Sequence, residues 1–428
     1  MHHASVETLG GNVTSVGASM LGRSVSAPNA AQVDLVAIER DSGGRAVIRA
    51  IGEAKHRNRP TGIGELRRLE LFRDRLDAPD AKLMLGCDAG FDRELLRLDR
   101  SPSDTELVDA DRLLHGSQSP PVSVRLAIMD IAVTGASGLI GSALCRRLEA
   151  DGHPVIRFVR RTPGANEAQW DPAGGTIDAA ALEGIGAVVH LAGAGIGDKR
   201  WTPSRKRELV ESRTLGTKLM ATALAGLQQP PTVLVSASAV GWYGPRGDEE
   251  LTEDSERGGG FLSDLCRDWE AATEPAEAAG IRVVHARTGI VLTSAGGALR
   301  KLLPLFKLGL GGRTGSGHQF MSCISLHDEV SALVHLIRDE SLRGAVNLTG
   351  PTPVTNLEFT RALGAAVRRP AIFPVPVFAP KLLLGAELVD NLLLTGQRVF
   401  PNRLLASGFP FKHPTVATQL GASLSQTR

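Results

Sequence analysis

"MDIAVTGASGLIGSAL", residues 129–144, decides how this chain is read. A short apolar run, "DIAVTG", has the composition of a buried strand, and "LIGSALCRRLEADG" behind it reads as a helix ending at Gly152. Between them Thr134, Gly135, Ser137, Gly138, Leu139, Ile140 and Gly141 give the spacing TGxxGxxG. The first glycine permits a tight strand-to-helix turn. The second lets backbone approach a pyrophosphate, and the third lets helix pack closely on strand, so that free N–H groups at the positive helix end hold an anion. In a chain with 48 glycines the spacing alone is weak; its place after a strand and at a helix start makes it a dinucleotide-binding loop.

About 20 residues past the first glycine, an NAD-binding unit carries an acidic residue for the ribose 2′-hydroxyl. Here the sequence is "RFVRRTPG", and Arg160 and Arg161 suit a 2′-phosphate instead, which favours NADP(H) over NAD(H). The strand–helix alternation continues through "PVIRFV", "AVVHLAG" (187–193), "TVLVSAS" (232–238) and "IRVVHAR" (281–287), with Thr202-Pro203 opening a long helix. The fold expected is α/β, a Rossmann-like doubly wound parallel sheet with a smaller C-terminal substrate region.

These motifs, with "VVHLAGAGIGDKRWT", "ESRTLGT", "SASAVGWYG", "CRDWE" and "GQRVFPNRLLASGFPFKHPTV", make residues 129–428 resemble the atypical extended short-chain dehydrogenase/reductases called epimerase family proteins, which are nucleoside-diphosphate-sugar epimerase-like. The resemblance implies an oxidoreductase or epimerase in which hydride moves between nicotinamide and a carbon bearing a hydroxyl or carbonyl. It adds Leu191, Ala192, Gly193 and Arg287 to the cofactor contacts, Arg287 being either a cleft residue or a structural ion-pair partner. Ser238 falls at the family's catalytic serine, where it would polarise the substrate oxygen. The expected Tyr and the Lys four residues after it are missing: Tyr243 is the only tyrosine in the chain, and Phe261 and Leu265 stand at those two places. Tyr243 is therefore the one phenol that can serve as an acid; its alternative is packing on Trp242 or Pro245. Trp201 and Arg213 match the branch's tryptophan and SR pair, with Arg213 either binding an anionic substrate group or forming a surface salt bridge. "FMSCISLHDEV" departs from the usual SWIHxxD-like block, with Cys323 and Ser325 in place of Trp and His and Asp328 a candidate helix cap. A non-catalytic NADP(H)-binding sensor is the competing reading, favoured by the lost Tyr/Lys pair.

In front of Met129, "VDLVAI", "AVIRAIGEAK" and "KLMLGC" read as strands, and "GIGELRRLELFRDRL" (62–76) as a helix. Asp34, Glu53 and Lys55 then resemble the metal site of PD-(D/E)xK nuclease-like domains, as appended to certain prokaryotic ATPases. Mg2+ or Mn2+ enters only if this segment is active, and it lacks the helix that normally precedes such a core. The organisation expected is a truncated nuclease-like unit over 1–116, a Ser/Pro-rich linker over 117–128, a Rossmann domain over 129–370 and a family-specific region over 371–428. Met129 reads as the natural opening of its unit, the front piece being joined by fusion or by a misplaced start.

Composition narrows the partners. The net charge is +2, and the first 120 residues hold 16 Lys+Arg against 18 Asp+Glu, which argues against nucleic acid. Four scattered cysteines without a CxxC pair suggest reduced thiols in a cytoplasm. No leader or membrane span is evident; "AIFPVPVFAPKLLLGAELV" is broken by prolines and charges and is expected to be a buried loop and helix. The partner expected is a small-molecule substrate, with a homodimer left open.

Overall fold

The computed structural model describes residues 128–425 and, in front of them, five strands (Ser15–Leu21, Ala31–Arg40, Ala46–Lys55, Lys82–Cys87 and Thr105–Asp109, β1–β5) together with positions 69, 70 and 73. The chain divides into two compact units, 1–125 and 126–428. In the first, β1–β5 form one sheet in that order, antiparallel from β1 to β3 and parallel from β3 to β5. The three strands expected here are present, and β1 and β5 are additional. Asp34 and Glu53 each lie one residue beyond the Leu35–Gly52 pair, so they hold facing register positions on β2 and β3. Of the helix expected over 62–76, positions 69, 70 and 73 are helical; the rest of it, and the linker before residue 128, lie outside the described residues.

The second unit contains β6 (Ile131–Thr134), β7 (Val155–Val159), β8 (Glu167–Asp171), β9 (Thr176–Ile177), β10 (Ala187–His190), β11 (Val233–Ala239), β12 (Glu250–Leu251), β13 (Arg282–Thr288), β14 (Ile290–Leu292), β15 (Phe320–Met321), β16 (Cys323–Ser325), β17 (Gly344–Leu348), β18 (Val354–Thr355) and β19 (Arg398–Val399). Its helices are α1 (Leu139–Ala150), α2 (Pro203–Ala225), α3 (Phe261–Ala271), α4 (Glu274–Ala278), α5 (Gly297–Lys307), α6 (Leu326–Arg338), α7 (Asn356–Val367), α8 (Phe378–Leu384), α9 (Ala386–Leu392), α10 (Asn402–Ala406) and α11 (Val416–Ser425).

The main sheet runs β17-β13-β11-β10-β6-β7-β8-β9, parallel throughout except for the edge strand β9. Its central strands are buried on both sides, which is why they read as nearly continuous apolar runs. Leu144 and Leu148 of α1 and Val330, Leu333 and Ile337 of α6 cover one face. Met220, Ala221 and Leu224 of α2 and Ala276 of α4 cover the other. Chain order reverses between β6 and β10, and a sheet of this kind binds ligands in the crevice beyond the carboxyl ends of the strands at that point.

One expectation is overturned in the C-terminal region. "AIFPVPVFAPKLLLGAELV" forms the two short helices α8 and α9, but Ile372, Phe373, Phe378, Leu382 and Leu383 are exposed rather than buried. Three prolines and Gly385, which adopts φ +92°, prevent a single helix long enough to turn one continuous face inward. Among the described residues no helix is long and apolar enough to cross a membrane.

Candidate active site at the switch point

The loop expected to hold a dinucleotide lies between β6 and α1. Gly135 adopts φ +65°, and a Cβ there would lie 2.9 Å from the backbone of Leu191, so neither the turn nor the approach to the neighbouring strand tolerates a side chain. Gly138 is the N-cap of α1 and no side chain caps the first turn, which leaves its amides available to an anion. Gly141 faces back into the turn, where a Cβ would lie 2.2 Å from the Gly135 carbonyl oxygen. The cradle therefore fits a pyrophosphate.

Thr134 works one layer beneath. Its Oγ1 accepts from the amides of Leu191 (3.1 Å) and Ala192 (3.2 Å), so its own proton goes to Nδ1 of His190 at 2.9 Å. Thr134, Leu191 and Ala192 thus tie β6 to the loop after β10 instead of offering these groups to a ligand. His190, fully buried and edge-on to Trp170, is pushed by desolvation down to about 4 and stays neutral. Ser137 and Gly193 are exposed, and Leu139 and Ile140 are half-buried.

The two arginines after β7 differ. Arg161 is held bidentately by Glu167 at 2.8 and 2.6 Å, and Gly164 N–H also donates to that carboxylate, which these bonds hold below its usual range. Arg160 is exposed and has no partner among the described residues. Only Arg160 is unencumbered for a phosphate.

Ser238 and Tyr243 are brought together in one buried network. Ser238 Oγ donates to Glu270 Oε1 at 2.6 Å, and Arg287 grips the same carboxylate through Nε (2.8 Å) and Nη2 (2.9 Å). Arg287 Nη1 donates to Tyr243 Oη at 3.2 Å, and its guanidinium lies 3.9 Å from the Trp242 ring centre. Tyr243 Oη donates in turn to Asn347 Oδ1 at 2.7 Å. Desolvation raises the Tyr243 phenol above its ordinary value, and its side chain is fully buried. It packs with Leu251 and Val399, with Trp242 against the same cluster, and its hydroxyl proton is directed at Asn347. Arg287 is spent on Glu270 and Tyr243. Glu270, in "CRDWE", is the residue missed in the sequence; only its position one helical turn after Cys266 and beside Trp269 marked it as inward-facing.

Phe261 and Leu265, expected to stand where the Tyr and Lys would be, lie in the first half of α3. Phe261 meets Trp201 edge to face at 5.2 Å, and Leu265 is buried. Trp201 donates from Nε1 to the Ile196 carbonyl and packs with Leu209 and Leu388. The C-terminal region thus closes over this loop, with Arg200 Nε donating to the Leu383 carbonyl at 3.1 Å and Lys206 pairing with Glu387 at 2.7 Å. Burial pushes the thiols of Cys266 and Cys323 up to about 12, which disfavours the thiolate at both.

The departing block resolves differently from expectation. Asp328 is not the helix cap: α6 begins at Leu326, and Ser325 caps it, its Oγ accepting from Asp328 N–H at 3.0 Å. Asp328 instead accepts from the amides of Lys412 (3.1 Å) and His413 (2.9 Å), pinning the C-terminal loop. Arg213 is also not a surface ion-pair partner; it is buried in α2. Next along α6, Glu329 is buried with Oε2 unpartnered, and Thr288 Oγ1 donates to Oε1 at 2.8 Å. Desolvation pushes its carboxyl up to about 8. The folded state then holds a proton that the unfolded chain releases at the ordinary carboxylate value, so stability falls as pH rises from that value to about 8. Glu329→Gln should raise the melting temperature at pH 8.5, with the gap to the parent protein closing near pH 5 in a thermal scan.

A doubly wound parallel sheet, a glycine-lined helix N-terminus at its switch point and a C-terminal segment docked on the neighbouring loops define a dinucleotide-binding α/β protein. Residues 131–260 match the NAD dependent epimerase/dehydratase family, and residues 375–422 match a domain of unknown function, DUF1731. The epimerase family protein Mb2239 of Mycobacterium bovis is 48% identical over 292 residues, 68% of this chain and 96% of that protein. The human epimerase family protein SDR39U1 is 37% identical over 302 residues, 70% of this chain and 99% of its own. The crystal structure of human SDR39U1 (isoform 2) with NADPH superimposes with a TM-score of 0.64 at 35% identity, covering 69% of this chain and 99% of that one. A nucleoside-diphosphate sugar epimerase from Corynebacterium glutamicum does so with a TM-score of 0.59 at 30% identity, covering 92% of this chain and 70% of that one. The chain belongs to this epimerase family. The nuclease-like reading of the front unit gains no support from these matches.

Proposed function

We propose that the second unit is an NADP(H)-dependent oxidoreductase of the epimerase family, with its Rossmann domain over 129–370 and its substrate region over 371–428, acting on a small molecule that bears a hydroxyl or carbonyl. The observation that carries the reading is the uncapped start of α1, closed against Gly135 and lying at the switch point. The human relative named with NADPH supports the phosphorylated dinucleotide. When bound, the nicotinamide supplies or accepts the hydride.

The chain's own part is to bind the cofactor and to move a proton. The amides of α1 hold the pyrophosphate, and Arg160 meets the 2′-phosphate while Glu167 restrains Arg161. Ser238 directs its proton at Glu270, so the free lone pairs of Oγ can accept a proton from a substrate hydroxyl as Ser238 passes its own to the carboxylate. This relay runs in the direction of alcohol oxidation. Carbonyl reduction runs the same relay backwards, from a protonated Glu270 through Ser238 to the substrate oxygen. Ser238 then accepts from a hydroxyl in oxidation and, as the polarising donor, gives its proton to the carbonyl oxygen in reduction.

Two measurements test this. NADPH should bind the full chain about tenfold more tightly than NADH, as a charge-assisted contact on an exposed arginine allows, and Arg160→Ala should erase the difference. Equal affinities in the parent protein would remove the 2′-phosphate assignment. NADPH formation from NADP+ across a panel of alcohols should be lost in Ser238→Ala; absence of turnover with every alcohol and carbonyl would leave a non-catalytic NADP(H)-binding sensor.

A further inference from the structure

Arg213 is a buried cation without a counter-ion. It lies on α2 with 9% of its surface exposed, and its one hydrogen bond is from Nη1 to the Leu209 carbonyl at 3.1 Å. Among the described residues no carboxylate pairs with it. Its guanidinium lies over the Trp269 ring at 4.9 Å, which offsets only part of the desolvation cost. Burial depresses Arg213 to about 10; Cys266 offsets part of that effect, and Arg205 adds repulsion. Arg205 itself is spent on the Gly195 carbonyl and Glu208.

The position of the guanidinium explains what it is for. It rests beneath Gly193, where an added Cβ would lie 3.3 Å from Arg213 Cγ and 3.4 Å from Cζ. Gly193 is exposed and belongs to the loop after β10, which with the glycine turn forms the two lips of the crevice. The adjacent Ala194 amide is fixed by Ser212 Oγ at 3.1 Å, so α2 holds the loop in place above the arginine. A bare glycine is thus all that separates a cation with unused N–H groups from the site.

We infer that Arg213 receives an anionic group of the substrate, phosphate or carboxylate, so that the molecule oxidised or reduced here is an acid or a phosphorylated compound. The inference rests on the cofactor reading above, since the anion is placed beside a bound dinucleotide. An anion would supply the counter-charge that Arg213 lacks among the described residues, which a neutral hydroxyl would not.

The test uses the full chain saturated with NADPH and titrated with inorganic phosphate, read by thermal unfolding. At about ten times its dissociation constant, phosphate should raise the melting temperature by about 2–4 °C. Arg213→Met, which removes the unpaired charge and keeps the apolar stem, should fold at least as stably without phosphate and lose the response; Arg213→Lys should keep part of it. No response in the parent protein overturns the inference, and so does an equal response in Arg213→Met, which would place the anion elsewhere. Where Arg213→Met folds poorly, Arg213→Lys decides: a retained partial response supports the anion contact, and a stable variant with no response overturns it. NADPH binding is followed separately by nicotinamide fluorescence. Failure of that signal in the parent protein removes the cofactor reading, whereas a phosphate response confined to Arg213 would survive it.

Discussion

Gly141→Ala should lower the melting temperature and weaken NADPH binding at least tenfold, although glycine-to-alanine changes within helices are ordinarily stabilising by about 1 kcal/mol. The added Cβ would lie 2.2 Å from the Gly135 carbonyl oxygen, 2.8 Å from Gly135 carbon and 3.0 Å from the Ala136 Cα. All three are backbone atoms of a turn already committed to φ +65°, so relief requires α1 to move away from β6 and carry its first-turn amides out of position. Overpacking of this kind costs about 1–3 kcal/mol. Gly421, also helical, supplies the control: nothing lies within 4 Å of its Cβ position, so Gly421→Ala should stabilise by roughly 0.5–1 kcal/mol and leave NADPH binding unchanged. Fluorescence titration and thermal unfolding check both, and unaltered affinity in Gly141→Ala would show that the turn adjusts without moving the cradle.

Arg287→Ala should cost about 3–5 kcal/mol in urea unfolding, because it strands Glu270 as a buried carboxylate and withdraws a donor from Tyr243. Desolvation has been paid for two charges at this place, and deleting one leaves the other without its partner. Arg287→Met combined with Glu270→Met should therefore cost much less than the single changes added together. A loss below about 1 kcal/mol in Arg287→Ala would mean that water or another group replaces the pair. Since the network also holds Ser238, the double variant should lose turnover even where it recovers stability.

The glycine loop and the alternation of strands and helices were legible because they are local. A tight turn needs glycine wherever it occurs, and a strand covered on both faces is apolar throughout. The resemblance carried in "ESRTLGT" and "SASAVGWYG" likewise located Arg213, Ser238 and Tyr243, and the lack of a Tyr/Lys pair needed no coordinates. What these side chains touch was not legible. Tyr243 meets Asn347 across 104 residues, and Asp328 meets the His413 amide across 85, contacts that have no periodicity to betray them. The exposed face of α8 escaped for the same reason, since apolar composition does not say whether a neighbour covers it.

By itself, then, the sequence determined that a dinucleotide cradle follows Thr134 and that the usual proton-transfer pair is gone. Both are properties of residue type and spacing. Tertiary structure alone decided that Ser238 faces Glu270, that Arg287 is committed to that carboxylate, that Glu167 ties Arg161 while Arg160 stands free, and that Arg213 is buried without a counter-ion. Charge balance and desolvation are sums over neighbours distant in the chain, and only folding assembles those neighbours.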